Sequence, residues 1–191
     1  MTNLLAIPGS LRRGSLNRAL LESARALAPA GVAVDVASLD GIPLYDGDLE
    51  ERQGIPDAVA ELKERFAAAD GVLLASPEYN GSMPGVLKNA IDWLSRPPED
   101  TARLFRDRPV AVIGATPGRL GTVLSQDAWL TVLRTLRMRP WQAGRLMVSG
   151  AHQLFDADGT LTDAGTRDQL VEFVAGFAAF AEHARAQRTN A

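Results

Sequence analysis

Gly71-Val72-Leu73-Leu74-Ala75-Ser76-Pro77-Glu78-Tyr79-Asn80-Gly81-Ser82-Met83-Pro84-Gly85-Val86-Leu87-Lys88-Asn89-Ala90-Ile91-Asp92-Trp93-Leu94 is the stretch that decides the fold. Gly71 to Ser76 is almost wholly apolar, as a central strand covered on both faces must be. Pro77 ends the run. A helix is predicted to begin near Met83 and to bury Val86, Leu87, Ala90, Ile91 and Leu94 at three- and four-residue spacing. Lys88 and Asp92 then fall one turn apart on its solvent side. The stretch is therefore one strand, loop and helix unit.

The same unit repeats on either side. Leu4 to Ile7 reads as a first strand, followed by a Gly/Ser loop and a helix from about Ser15 to Leu27 with Leu16, Leu20 and Leu27 on one face. Val32 to Val36 alternates, as an edge strand does. A turn-rich connection runs from Ser38 to Gly54, and Pro56 opens a helix carrying Val59, Leu62, Phe66 and Ala69. Beyond the central unit, Pro109 starts a fourth strand, Val110 to Ile113, with a proline tolerable at its first position. The loop Ala115 to Gly121 leads into a helix ending near Arg137, a fifth strand is predicted near Trp141 to Val148, and a last helix spans roughly Asp163 to Ala186 through Leu170, Val174, Phe177 and Ala181. The polar tail from Ala184 to Ala191 is expected to fray. Five such units joined by right-handed crossovers point to an α/β fold, a doubly wound three-layer α/β/α sandwich.

At 191 residues the chain matches one domain, 1–191, with no repeat or interdomain linker. It has no cysteine and only two histidines, His152 and His183, which excludes thiol catalysis and disfavours a metal centre. Lys and Arg number 20 against 23 Asp and Glu and are scattered, so no nucleic-acid footprint is expected. Met1 to Ser10 lacks the features of a secretory leader, and no stretch has the length of a membrane span; a cytoplasmic protein is the expectation.

In an open α/β sheet, ligands bind beyond the carboxyl ends of the strands. Three loops there are unusual. The first, Pro8-Gly9-Ser10-Leu11-Arg12-Arg13-Gly14-Ser15-Leu16-Asn17-Arg18, runs into a helix whose amino end offers unpaired N–H groups to a phosphate, with Ser10, Ser15 and Asn17 as neutral donors and Arg12 as a charged fork. It matches neither G-x-x-x-x-G-K-[ST] nor G-x-G-x-x-G, so ATP and Rossmann-type dinucleotide binding lose support. The second, Ser76 to Gly85, is shaped by glycine and proline to wall a flat heteroaromatic ring; its Asn80-Gly81-Ser82 match to a glycosylation site is read as accidental. The third, Gly114-Ala115-Thr116-Pro117-Gly118-Arg119-Leu120-Gly121-Thr122, would complete the rim. Taken singly, each also fits an ordinary strand-to-helix connection, with Ser15 or Ser82 as a helix cap. Asp156-Ala157-Asp158-Gly159 begins like a calcium loop, but its glycine comes two places early and Arg167 replaces the bidentate Glu, so it is a turn. Trp129, Leu130, Leu133 and Leu136 form a helical stripe suited to core or subunit contact.

Taken together, the Gly-Ser-Leu-Arg-Arg-Gly-Ser-Leu-Asn-Arg opening, the Ser-Pro-Glu-Tyr-Asn-Gly-Ser-Met-Pro-Gly segment and the Ala-Thr-Pro-Gly turn resemble the NADPH-dependent FMN reductase family, which includes bacterial chromate, quinone and azo-dye reductases; the resemblance runs from about Leu4 to Val148. It implies a flavodoxin-like fold with a five-stranded parallel sheet in the order 2-1-3-4-5. It also implies noncovalent FMN, with Ser10, Arg12, Ser15, Leu16 and Asn17 at the phosphate. Pro77, Glu78, Tyr79, Asn80 and Gly81 would line the isoalloxazine, largely through backbone groups, and Thr116, Pro117 and Gly118 would close its far edge. NADPH or NADH would give a hydride to the flavin, no side chain acting as acid or base, and quinone, chromate, azo or flavin acceptors would take the electrons. A homodimer or homotetramer is implied. The family often has a more glycine-rich third turn, so Arg119 and Leu120 bring bulk and charge to the pocket mouth. The competing readings are a flavodoxin-type electron carrier with no turnover of its own, and a sensor holding another mononucleotide.

Overall fold

Leu4 and Ala6 face one hydrophobic cluster and Leu5 and Ile7 another, so this strand has core on both sides. The structure is a computed structural model describing residues 1–189. In it β1 (Thr2–Pro8), β2 (Val32–Val36), β3 (Gly71–Ala75) and β4 (Pro109–Ala115) form a parallel sheet with two short strands, β5 (Arg139–Pro140) and β6 (Met147–Val148). The order is β2-β1-β3-β4-β5, as the resemblance implies, with β6 also paired to β4. Helices α1 (Leu16–Ala26) and α7 (Ala164–Thr189) cover one face; α3 (Asp57–Ala68), α4 (Gly85–Leu94), α5 (Pro98–Phe105) and α6 (Val123–Thr135) cover the other. Two buried apolar layers on either side of a parallel sheet are the dominant stabilising term in such a fold. No helix among the described residues is long and apolar enough to cross a membrane.

The local signals place most elements well. Ser15 caps α1, its hydroxyl accepting from Arg18 N–H at 3.2 Å. The Lys88 and Asp92 side chains meet at 2.6 Å across one turn of α4. That helix starts at Gly85, later than Met83, because Pro84 takes the cap position and Ser82 pairs back with Tyr79 instead of capping. Two helices lie where the sequence shows no periodicity: α2 (Gly47–Gln53), started by the Asp46 carboxylate on Asp48 N–H, and α5, started at Pro98. The last helix runs to Thr189, through the stretch from Ala184 expected to fray, and Ala184 is buried; residues 190 and 191 lie outside the described part.

The fifth strand departs most from the periodic reading. Its predicted span, Trp141 to Val148, is mainly an excursion between the two-residue strands β5 and β6. Trp141 makes the last ladder bond, its N–H donating to Val110 C=O at 2.8 Å, and its ring packs edge-on against Phe173 (4.9 Å between ring centroids) and beside Phe177 of α7. Gly144 and Gly176 make room for it, since a Cβ at either would stand 2.5 or 2.8 Å from the indole. The contact of a half-buried indole with two phenyl rings outweighs a few ladder hydrogen bonds at a sheet edge. Of the stripe on α6, Trp129 and Leu133 are buried in the core, whereas Leu130 is exposed.

Candidate functional site

The three loops meet at the carboxyl ends of β1, β3 and β4. Gly9 N–H donates to Ala75 C=O at 2.8 Å, and a Cβ on Gly9 would lie 2.9 Å from Pro77, so the first and second loops touch through backbone. Ser76 N–H donates to Ile113 C=O at 2.8 Å, joining the start of the second loop to the end of β4. Gly114 has no space for a side chain: its Cβ would fall 2.6 Å from Ser76 C=O and far inside contact distance of the Thr122 hydroxyl. The three sequence-predicted loops thus adjoin at one end of the sheet.

In the first loop, Ser15 and Asn17 are buried, Ser10 and Leu16 are half-buried, and Arg12 is exposed. The Leu16 and Asn17 N–H groups, the first two of α1, find no protein acceptor among the described residues, and none of the Arg12, Arg13 and Arg18 guanidiniums is in an ion pair or hydrogen bond there. Unpaired amides at a helix start together with one free guanidinium, that of Arg12, are the donor set a phosphate monoester needs. The Asn17 carboxamide is committed elsewhere: its Nδ2 donates to Ala115 C=O at 2.9 Å and its Oδ1 accepts from Ala115 N–H at 3.0 Å.

The second loop folds into a miniature hairpin. Tyr79 and Ser82 exchange N–H to C=O bonds of 3.0 and 3.1 Å around Asn80 (φ 52°) and Gly81 (φ 71°). Positive φ at both central residues makes a type I′ turn, for which Asn-Gly is the favoured pair. The Asn80 and Gly81 N–H groups have no protein acceptor among the described residues and are available to the edge of a ring. Pro77 is buried beneath them, and Tyr79 is 51% exposed at the rim. Glu78 turns away, one carboxylate oxygen accepting from Leu124 N–H (2.9 Å) and Ser125 N–H (3.3 Å) at the start of α6. Beneath it lies a buried hydroxyl pair: the Ser76 and Ser125 oxygens are 2.8 Å apart, and Trp129 Nε1–H donates to Ser76 Oγ at 2.8 Å. Sequence reading marked neither Ser125 nor Trp129 as support for this loop; a Ser and a Trp four apart on a helix carry no such signal until β3 is placed beside them.

The third loop is held by its neighbours. Thr116 N–H donates to Val148 C=O (2.9 Å), Thr116 C=O accepts from Ala151 N–H (2.9 Å), and Thr116 Oγ1 accepts from Gly118 N–H (3.1 Å). Thr116, Pro117 and Gly118 therefore offer shape more than free backbone donors. Arg119 is exposed, as is Leu120 at 62%, both beyond this wall. His152 and His183 are both exposed, and no group of His, Cys, Asp and Glu among the described residues is arranged to hold a metal ion. Asp156 sits in a tight turn, its Oδ1 accepting from Asp158 and Thr160 N–H.

Residues 2–153 match the family model for NADPH-dependent FMN reductases. An NAD(P)H-dependent FMN reductase of Pseudomonas aeruginosa is 46% identical over 167 residues, covering 87% of this chain and 88% of that one. A quinone reductase of Escherichia coli K12 is 34% identical over 184 residues, covering 95% and 96%. Among solved structures, a flavoenzyme NAD(P)H:(acceptor) oxidoreductase of Paracoccus denitrificans superimposes with a TM-score of 0.85 at 32% identity, covering 96% of this chain and 98% of that one.

Proposed function

The chain belongs to the NADPH-dependent FMN reductase family, and from that premise we propose that it is an NAD(P)H-dependent reductase that holds FMN noncovalently and passes electrons to quinones and related small acceptors. The observation that carries this reading is the convergence of three loops whose orphaned donors suit a phosphorylated flat ring: Leu16 and Asn17 N–H with Arg12 at one end, Asn80 and Gly81 N–H at the other. When bound, FMN supplies the redox chemistry, taking a hydride from a nicotinamide and releasing electrons to an acceptor. The chain's task is to hold and orient.

Ser10, Ser15 and Arg12 would bind the phosphate, Ser15 keeping its hydroxyl proton free while accepting from Arg18 N–H. Pro77 and the Tyr79 to Gly81 hairpin would wall the ring, and Thr116 to Gly118 would close the other side. Tyr79, Leu120 and Leu124 expose apolar area around this rim, which supports a homodimer or homotetramer with the rim at or near a subunit contact. Reliance on NAD(P)H, made and recycled in the cytoplasm, supports a cytoplasmic location.

The test is an absorption spectrum of the purified protein before and after anaerobic NADPH. A flavin spectrum that bleaches with NADPH and returns on adding benzoquinone is expected. A colourless protein that FMN cannot reconstitute overturns the proposal, and a flavin that stays oxidised with NADPH makes the chain a carrier.

A further inference from the structure

Three guanidiniums flank one phosphate loop, which is more positive charge than one phosphate monoester requires. Arg12, Arg13 and Arg18 all line a cleft of about 680 Å³ between the start of α1 and the turn that follows β6. Its lining includes Ser15 and Leu16 of the phosphate loop, Pro117 of the third loop, and His152, Phe155 and Asp158. It thus adjoins the flavin-side wall at Pro117 while extending to the outer arginines. The volume is in the range of small-molecule pockets, about 300–1,000 Å³, and too large for a phosphate alone.

We propose that this cleft takes the adenosine end of NADPH, with Arg13 and Arg18 pairing with its 2′-phosphate and so favouring NADPH over NADH. The inference rests on the reductase reading above and goes further by naming the residues that select between the two nicotinamide co-substrates. Arg12 is left for the flavin phosphate. Arg13 is exposed and Arg18 half-buried, and neither has a competing partner among the described residues.

The acids of the same cleft are mostly occupied. Glu22 pairs with Arg25 at 2.6 Å, and Asp156 is turned onto its own turn's amides. Asp158 remains exposed as an acceptor for an adenine amino group or a ribose hydroxyl, and Phe155 offers a partly exposed ring for a base to stack on. A second cleft shares the three arginines but opens toward Ser38 and Asp40 and has no residue of the second or third loop in its lining. A nicotinamide stacked on the flavin makes the cleft that includes Pro117 the favoured one.

The test compares Arg13→Ala and Arg18→Ala with the unaltered FMN-loaded enzyme, reading kcat/KM for NADPH and for NADH and the flavin content of each preparation. Each loss should lower kcat/KM for NADPH roughly tenfold through KM, the factor a charge-assisted contact of about 1.4 kcal/mol carries. NADH should stay within about twofold, a change too small to correspond to a lost contact, and FMN content should not change. Inhibition by adenosine 2′,5′-bisphosphate should weaken in both variants, with that by 5′-AMP unchanged. Equal losses for both nucleotides, or none for NADPH, overturn the proposal. If the unaltered protein takes up no flavin, the reductase reading fails instead; calorimetric binding of adenosine 2′,5′-bisphosphate against 5′-AMP still reports on the cleft, and equal binding of the two overturns this assignment.

Discussion

Asn17 and Ala115, 98 residues apart in the chain, are joined by a reciprocal pair of hydrogen bonds between one side-chain amide and one backbone amide. The start of α1 is thereby fastened to the end of β4, which fixes the first loop relative to the third. Asn17 is buried, so no water replaces either bond when the side chain is shortened. Asn17→Ala should therefore lower the affinities for FMN and for riboflavin by the same factor, since the shared framework loosens. Fluorescence titration with both ligands checks this; a loss confined to FMN would mean that the carboxamide reaches the phosphate itself.

Glu78 joins the second loop to α6 through two backbone N–H groups. Glu78→Ala should cost about 1 kcal/mol of stability, the usual worth of a helix cap. Glu78→Gln keeps an acceptor and loses only the attraction of a full charge to the helix start, about 0.3–1 kcal/mol. Urea denaturation of both variants should rank them in that order below the parent.

Ser76, Ser125 and Trp129 form a fully buried set. Removing the Ser76 hydroxyl strands the Trp129 N–H away from water, which costs about 1–3 kcal/mol. Ser76→Ala should lower the denaturation midpoint accordingly, and Ser125→Ala, which leaves the indole bond intact, should lower it less.

Asp100 gives a pH-dependent contribution. The Lys63 ammonium, 2.7 Å away and almost wholly buried, is the main cause holding its carboxyl below the usual carboxylate range, and Arg103 adds to it. A carboxyl lowered on folding stabilises fully above its unfolded pKa, and the contribution is lost as pH falls through the folded value. Stability should thus decline below about pH 4. Asp100→Asn should be less stable at neutral pH and show a shallower decline over that acidic range; denaturation midpoints from pH 7 to pH 3 read both effects.

Most strands and the three loops of the candidate site were legible because their signals are local, whereas the sheet order followed from the family resemblance. An unbroken apolar run such as Val72 to Ala75 marks a central strand, and the glycines and prolines between Ser76 and Gly85 mark a shaped loop after it. Other features depend on distant partners. Asn17 looks like one more polar donor in a phosphate loop until Ala115 is set beside it. The Glu78 carboxylate has no visible partner in the sequence until α6 presents its amides. The fifth strand is misplaced in the sequence because Trp141 and Val148 have strand-forming side chains, while the rings of Phe173 and Phe177 that draw the indole away lie on α7. Helix α5 is too short for its apolar positions, Leu104 and Phe105, to establish a period.

The displaced Trp141 also bears on how copies of this chain can meet. With its outer strands cut to two residues each, the β5 and β6 border has few open N–H and C=O groups to template a stray strand. Self-association on that side by sheet extension is blunted, and any packing between copies there would have to come from helix surfaces such as the one where Leu130 stands exposed.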